Sequence, residues 1–210
     1  MAQPRIAFTI VADLIAWLAS SGVVQGVIIG ATLAFLTTIL ILDAVARAET
    51  RTVNGWSSIR KAGEPGNGLL VRAALQKALP VVNLVEEAAY WTTSVDGAGK
   101  KLNGAHVYRL HFPPGKLPPN DAFWSLTATD IVGYMVEHPS GRSSVDSHSG
   151  LVWNSDGSVD ILLQPHEPNG PPQNWLPTPT GRFNLMLRAY LPGAAIVDGS
   201  YEVPRVVEVA

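Results

Sequence analysis

Which chemistry the side chains of this sequence could support is decided by five histidines, no cysteine and a few aromatic residues close to arginines. His106 and His111 are the closest histidine pair. They fall in or beside a strand pattern, where an odd separation sends two side chains to opposite faces, so one metal ion cannot take both without a bulge. His138, His148 and His166 stand in stretches rich in Gly, Pro and Ser, and no His-x-His or His-Glu-x-x-His arrangement occurs. No metal site and no cofactor is expected. Ser125, in Phe123-Trp124-Ser125-Leu126-Thr127, comes nearest to a nucleophile. It lacks a Gly-x-Ser-x-Gly elbow and reads as an ordinary strand serine. Gly63 to Gly68 is rich in glycine but has neither a preceding strand nor a phosphate-binding lysine. No base is paired with a nucleophile anywhere in the sequence. An enzyme, a hydrolase or isomerase built from distant residues, is therefore only the third expectation.

The most suggestive set is aromatic and cationic: Phe123, Trp124, Trp175, Arg188 and Tyr190, with Arg109. Arg109, Arg188 and His111 occupy strand patterns in which a charged side chain must meet water, a carboxylate or a ligand. Trp175 follows Asn174 in a Pro-rich loop, and loops over a sandwich commonly build ligand sites. Two readings stay open. In one, the tryptophans fill the core, Asn174 hydrogen-bonds its own loop and Arg188 pairs with an acid such as Asp121 or Asp130. In the other, Trp124, Trp175, Arg188, Tyr190 and Arg109 line a pocket for a small apolar or carbohydrate-like ligand.

The elements that must position these residues begin with a membrane anchor. Between Asp13 and Asp43 no residue is charged, a stretch longer than the roughly 20 residues a helix needs to cross the hydrocarbon core. A transmembrane helix over about 20–43 is expected, densest from Val23 to Leu42. Ile10, Val11, Leu14, Ile15 and Leu18 recur upstream at helical spacing, with Trp17 near the interface, which suits an interfacial helix over 6–18 or an extension of the span. Ser20, Ser21 and Gly22 offer a bend between the two, and a helix running straight through is the alternative. Gly22, Gly26, Gly30 and Ala34 repeat every fourth residue, and Thr38 continues the face. Lipid provides no hydrophobic drive between helices, so such small residues allow close packing against another membrane helix.

Orientation is argued from both sides. Only Arg5 precedes the span, whereas Arg47, Arg51, Arg60 and Lys61 follow it, which by the positive-inside rule points the remainder into the cytoplasm. Ala44-Val45-Ala46 and Ala46-Arg47-Ala48 resemble signal-peptidase sites and point to export, with an uncleaved signal anchor as one form of it. Asp43 and Glu49 dilute the cationic cluster, and long soluble domains cross despite flanking charge. A periplasmic or otherwise extracytoplasmic domain is expected.

The remaining chain reads as one β-rich domain. Residues 1–46 are the anchor, 47–68 a polar linker or a loosely packed strand around Trp56, and 69–210 the domain, which at about 150 residues leaves no space for a second. Leu69 to Leu79 has helical spacing, closed by Pro80. The period then becomes two. Ala89, Trp91 and Thr93 alternate with Tyr90, Thr92 and Ser94, and Val107, Arg109 and His111 with Tyr108, Leu110 and Phe112. Further strands are expected over Ala122–Thr129, Val132–Glu137, Leu151–Trp153, Val159–Gln164, Phe183–Tyr190 and Val203–Val209. Ser155-Asp156-Gly157-Ser158 supplies a hairpin turn. The fold class is mainly β, an antiparallel sandwich or jelly-roll with a short helix. A net charge of -2 lacks the basic field that nucleic acid requires.

From Gly55 onward the residue pattern resembles the bacterial domain-of-unknown-function family 1214. The matching residues run in order through Gly55-Trp56, Arg72-Ala73-Ala74, Glu87-Ala88 with Tyr90, Asp96-Gly97, Tyr108 with Leu110 and Phe112, and Leu117-Pro118-Pro119. They continue through Asp121 to Thr127, Asp156-Gly157-Ser158, Asn174-Trp175-Leu176-Pro177, Leu187-Arg188 with Tyr190 and Pro192, and Asp198-Gly199 with Pro204. Thr129 departs where the family carries an aromatic residue, and Tyr201 where it carries tryptophan. The resemblance implies a β-sandwich-like domain, often membrane-anchored and exported, and brings no agreed activity. The first functional expectation is a non-catalytic accessory subunit that docks on membrane protein subunits in the lipid bilayer through the glycine face. The alternative is the small-ligand binding module.

Overall fold

A computed structural model describes residues 12–13, 15–59, 62–79, 83–170 and 172–209. Arg5, Ile10, Val11, Leu14, Arg60, Lys61 and Pro80, on which parts of the sequence reading rest, lie outside the described residues. The chain divides into two compact units, Met1–Val45 and Ala46–Ala210.

The first unit is dominated by helix α1, Gly22–Glu49, which begins in it and ends in the second. Its leucine, isoleucine and valine content and its 28 residues make it long and apolar enough to cross a membrane, a property that a signal sequence shares. Residues 15–20 are helical as well. Ser21 stands between the two pieces, yet its N–H donates to the Trp17 carbonyl at 3.1 Å and its carbonyl accepts from the Gln25 N–H at 3.0 Å. Helical hydrogen bonding therefore runs through the serine-glycine step.

The second unit is mostly β, two sheets and short helices. Its elements are β1 (Arg51–Val53), β2 (Trp56–Ser58), α2 (Leu69–Ala78), β3 (Ala88–Thr93), β4 (Val107–Phe112), β5 (Asn120–Thr129) and β6 (Ser144–Asp146). After these come β7 (Val159–Gln164), β8 (Trp175–Pro177), β9 (Asn184–Pro192), α3 (Ala194–Val197) and β10 (Val206–Val209). One sheet has the order β1-β2-β3-β9-β5-β6 and the other β10-β4-β7-β8. Pairing is antiparallel except between β7 and β8. The inner faces meet in one core: Trp91, Trp124, Leu126 and Leu187 from the larger sheet, Tyr108, Leu110, Phe112 and Ile161 from the smaller. Period-two alternation explains this directly, because every second residue of β3, β4 and β7, and of β9 as far as Tyr190, is buried.

Four segments differ from the expectation. Residues 51–58, read as a linker or a loose strand, form a hairpin whose two-residue loop is Asn54-Gly55 with both φ positive, the geometry that Asn-Gly favours. Trp56 is buried, and its Nε1 donates to the Pro204 carbonyl at 2.8 Å. Val132–Glu137 is no strand. The Asp130 carboxylate accepts the N–H groups of Val132, Gly133 and Tyr134 at 2.8–2.9 Å, which curls the chain into a turn bridged to β5 at Thr129–Met135. Leu151–Trp153 is no strand either, because the Asn174 side chain holds both the N–H and the carbonyl of Val152, at 2.8 and 2.7 Å. The last strand starts only at Val206, since the carbonyls of Val203 and Pro204 are taken by the side chains of Asn54 and Trp56.

Candidate ligand-binding face

The outward face of β9 presents Asn184, Met186, Arg188 and Tyr190 in a row, each about 7 Å from the next along the strand. Register sets their neighbours. Phe123 lies opposite Tyr190, Tyr90 and Ser125 flank Arg188, and Thr92 and Thr127 flank Met186. Phe123 and Tyr190 stack with ring centroids 4.5 Å apart at 22°, and the His148 ring stands 6.1 Å from Phe123. Ser125, the nominal nucleophile, is a strand residue of this row.

Arg188 is half-buried in the middle of the row, where its Nη1 donates to Thr127 Oγ1 at 3.3 Å. Among the described residues, which include every Asp and Glu of the sequence, no carboxylate forms an ion pair with it. The expected acid partners are placed elsewhere: Asp130 is engaged by its own turn, and Asp121 is exposed. The three backbone N–H groups, led by that of Tyr134, hold the Asp130 carboxyl below its ordinary range. On the other flank Tyr90 Oη donates to Asn83 Oδ1 at 2.8 Å, and Asn83 Nδ2 donates to Glu87 at 3.2 Å. Burial pushes the Tyr90 phenol up, Tyr190 adds to that, and the Arg188 charge acts in the opposite direction. Tyr90, Arg188 and Tyr190 thus share one electrostatic neighbourhood.

Beyond Met186 the face opens into a trough of about 510 Å³. Ser57, Thr92 and Met186 form its floor, and Ala78 and Leu79, at the end of α2, and Val132 of the Asp130 turn border it. Among the described residues, no charged side chain lines this trough. Arg188 stands next to it, because Thr127, which it binds, is the register partner of Met186 on the trough floor.

The other residues singled out from the sequence are not brought here. Trp124 points inward and packs against Phe112 in the core. Trp175 is 2% exposed on the smaller sheet, paired in register with Leu162 on the face away from the core. The His138 ring caps it at 5.3 Å, its Nε1 donates to the Gln164 carbonyl at 2.9 Å, and Arg142 donates to its carbonyl. It is packed against protein atoms, away from the Arg188 row. Arg109 belongs to the outward face of β4, 3.7 Å from Asp160, which also contacts His111 Nδ1 at 2.8 Å and accepts from Asn154 at 3.0 Å. His106 is turned to Glu208, 2.9 Å away.

Residues 87–194 match the family described as protein of unknown function, DUF1214. The chain belongs to this family. Tyr90, Phe123, Met186, Arg188 and Tyr190 all fall within the DUF1214 segment, whereas Ser57, Ala78 and Leu79 of the trough precede it. Among solved structures, the chain is similar to the VPA0106 protein from Vibrio parahaemolyticus, at 26% identity and a TM-score of 0.60. That likeness covers 69% of this chain but only 36% of the Vibrio protein. A putative uncharacterized protein from Burkholderia cenocepacia shares 18% identity at a TM-score of 0.35, over 59% of this chain and 29% of the other. No curated protein matches the chain.

The sequence missed Tyr90 and Thr127 as neighbours of Arg188. The alternation of β3 and β5 puts both on outward positions, but which residue meets which across β9 is set by register alone.

Proposed function

We propose that this DUF1214 chain is a membrane-tethered, non-catalytic binding domain that takes up a small ligand on the outward face of its six-stranded sheet. The observation carrying this reading is Arg188, a half-buried cation with one hydroxyl partner and no carboxylate among the described residues. Burying part of a guanidinium without an opposing charge costs free energy that a bound anion offsets. The stacked Phe123–Tyr190 pair and the uncharged trough on either side supply apolar contact area. The test is a ligand-observed NMR screen of neutral, cationic and anionic small molecules against the full-length protein in nanodiscs. Anionic members are expected to bind the wild type and to lose at least tenfold in affinity with Arg188→Gln. If no member binds above the level of empty nanodiscs, the domain is not a small-ligand module.

A second reading, compatible with the first, is an accessory subunit that docks on other membrane proteins through α1. It is favoured by the open space over Gly22, Gly26 and Gly30, none of which has a heavy atom within 4 Å of an added Cβ. Ala34 continues that face. In lipid such a surface allows close helix approach. Replacing both Gly26 and Gly30 with leucine is expected to abolish co-purification of partner subunits in mild detergent. Unchanged co-purification removes this reading.

A further inference from the structure

We infer that the ligand of this face is an anionic single-chain amphiphile, its carboxylate-like head on Arg188 and its apolar chain in the neighbouring trough. The inference rests on the binding-domain reading and names the class of ligand. Two features meet here that a sugar site or a simple anion site does not need together. The first is a trough of about 510 Å³ with no charged lining residue among the described ones, within the roughly 300–1,000 Å³ usual for small-molecule sites. Its apolar side chains come from four separate parts of the chain: Ala78 and Leu79, Val95, Met186, and Val132. The second is the cation beside it, whose single hydroxyl partner, Thr127, lies one strand over from Met186.

The lip of the trough points to the same class. Val132 belongs to a turn pinned by three N–H bonds to Asp130, and its neighbours Ile131, Tyr134 and Met135 are, like Val132, more than half exposed. A turn that is tightly hydrogen-bonded yet holds four large apolar side chains in water gains by covering them. Arg188 decides the charge of what covers them. An uncharged chain leaves its guanidinium unanswered, and a short anion leaves the lip and trough wet. An aliphatic chain with an anionic head satisfies both, and the Ser57 hydroxyl on the floor is already paired with that of Thr52 at 3.0 Å, so it does not demand a polar ligand group.

The chain has three methionines, so its methyl spectrum is nearly assigned by composition. The test uses full-length protein, labelled at the methionine methyls, in nanodiscs of uncharged phosphatidylcholine, titrated with dodecanoate, dodecanol or acetate. Dodecanoate is expected to shift the Met186 methyl at concentrations at least tenfold below those at which dodecanol does, while acetate leaves it in place. Arg188→Gln is expected to bring dodecanoate to the dodecanol level, and Arg109→Gln, on the other sheet, to change nothing. If dodecanol acts at the same concentration as dodecanoate on the wild type, or if Met186 does not respond to dodecanoate, the ligand class is wrong, whether or not the arginine variant folds. Should molecules from the broader screen still bind and depend on Arg188, only the amphiphile inference falls and the binding-domain reading stands.

Discussion

Arg109 and Arg188 look alike in the sequence, each an arginine at an outward strand position, and the structure separates them by what stands across the sheet. Asp160, from β7, answers Arg109, whereas the register of β9 gives Arg188 a tyrosine and a serine. The same logic holds for Asp130. Its carboxylate is committed to the N–H groups of its own turn rather than to Arg188, and its pKa is depressed by those bonds. A carboxylate with a folded-state pKa below its unfolded value stabilises the turn at pH values above the unfolded pKa, and the effect is lost as pH falls through the folded one. Amide exchange at Val132, Gly133 and Tyr134, corrected for the intrinsic pH dependence, is therefore expected to stay slow from neutrality to the ordinary carboxylate range and to speed up only below it. With Asp130→Asn the acid-induced change should vanish, and persistence of the full acid step in that variant would show that another group controls the turn.

At the scale of elements, side chains replaced backbone partners where strands were expected. Leu151–Trp153 has the composition of a strand, but Asn174 occupies the hydrogen-bonding positions of Val152 that a neighbouring strand would use. The Asn174→Ala variant is expected to raise amide exchange at Val152 about five- to tenfold, the equivalent of about 1 kcal/mol for one hydrogen bond, with β7 protection unchanged. Equal exchange in the two proteins would mean that the asparagine is not what holds the segment. The opposite error occurred at residues 51–58, where polarity suggested a linker and the Asn54-Gly55 turn built a hairpin instead. That signal was present in the sequence, since Asn-Gly between short β-prone runs is a strong two-residue turn. Trp56 then carries the hairpin into the core, a long-range contact with Pro204 that no local pattern announces.

For the whole molecule, the side of the membrane on which the domain lies decides which ligands and partners it meets. Export is expected, on the argument that the acidic residues Asp43 and Glu49 dilute the cationic cluster after the apolar helix. Ser147 is exposed in the turn after β6, and the chain has no cysteine of its own. Ser147→Cys is expected to react with a membrane-impermeant thiol reagent in intact spheroplasts. Reaction only after lysis would put the domain in the cytoplasm. The sequence by itself determined the apolar helix, the β class, the family and the alternation that sorts each strand into inward and outward residues, because these depend on local periodicity and on residue types in order. It placed Arg188 and Tyr190 on one outward face for the same reason. It did not determine that Phe123 joins them while Trp124 and Trp175 go to the core and to the opposite sheet, nor that the arginine lacks an acid. Those outcomes depend on which strands pair and in which register, here β9 between β3 and β5, and a shift of one residue would turn every one of these side chains to the other face.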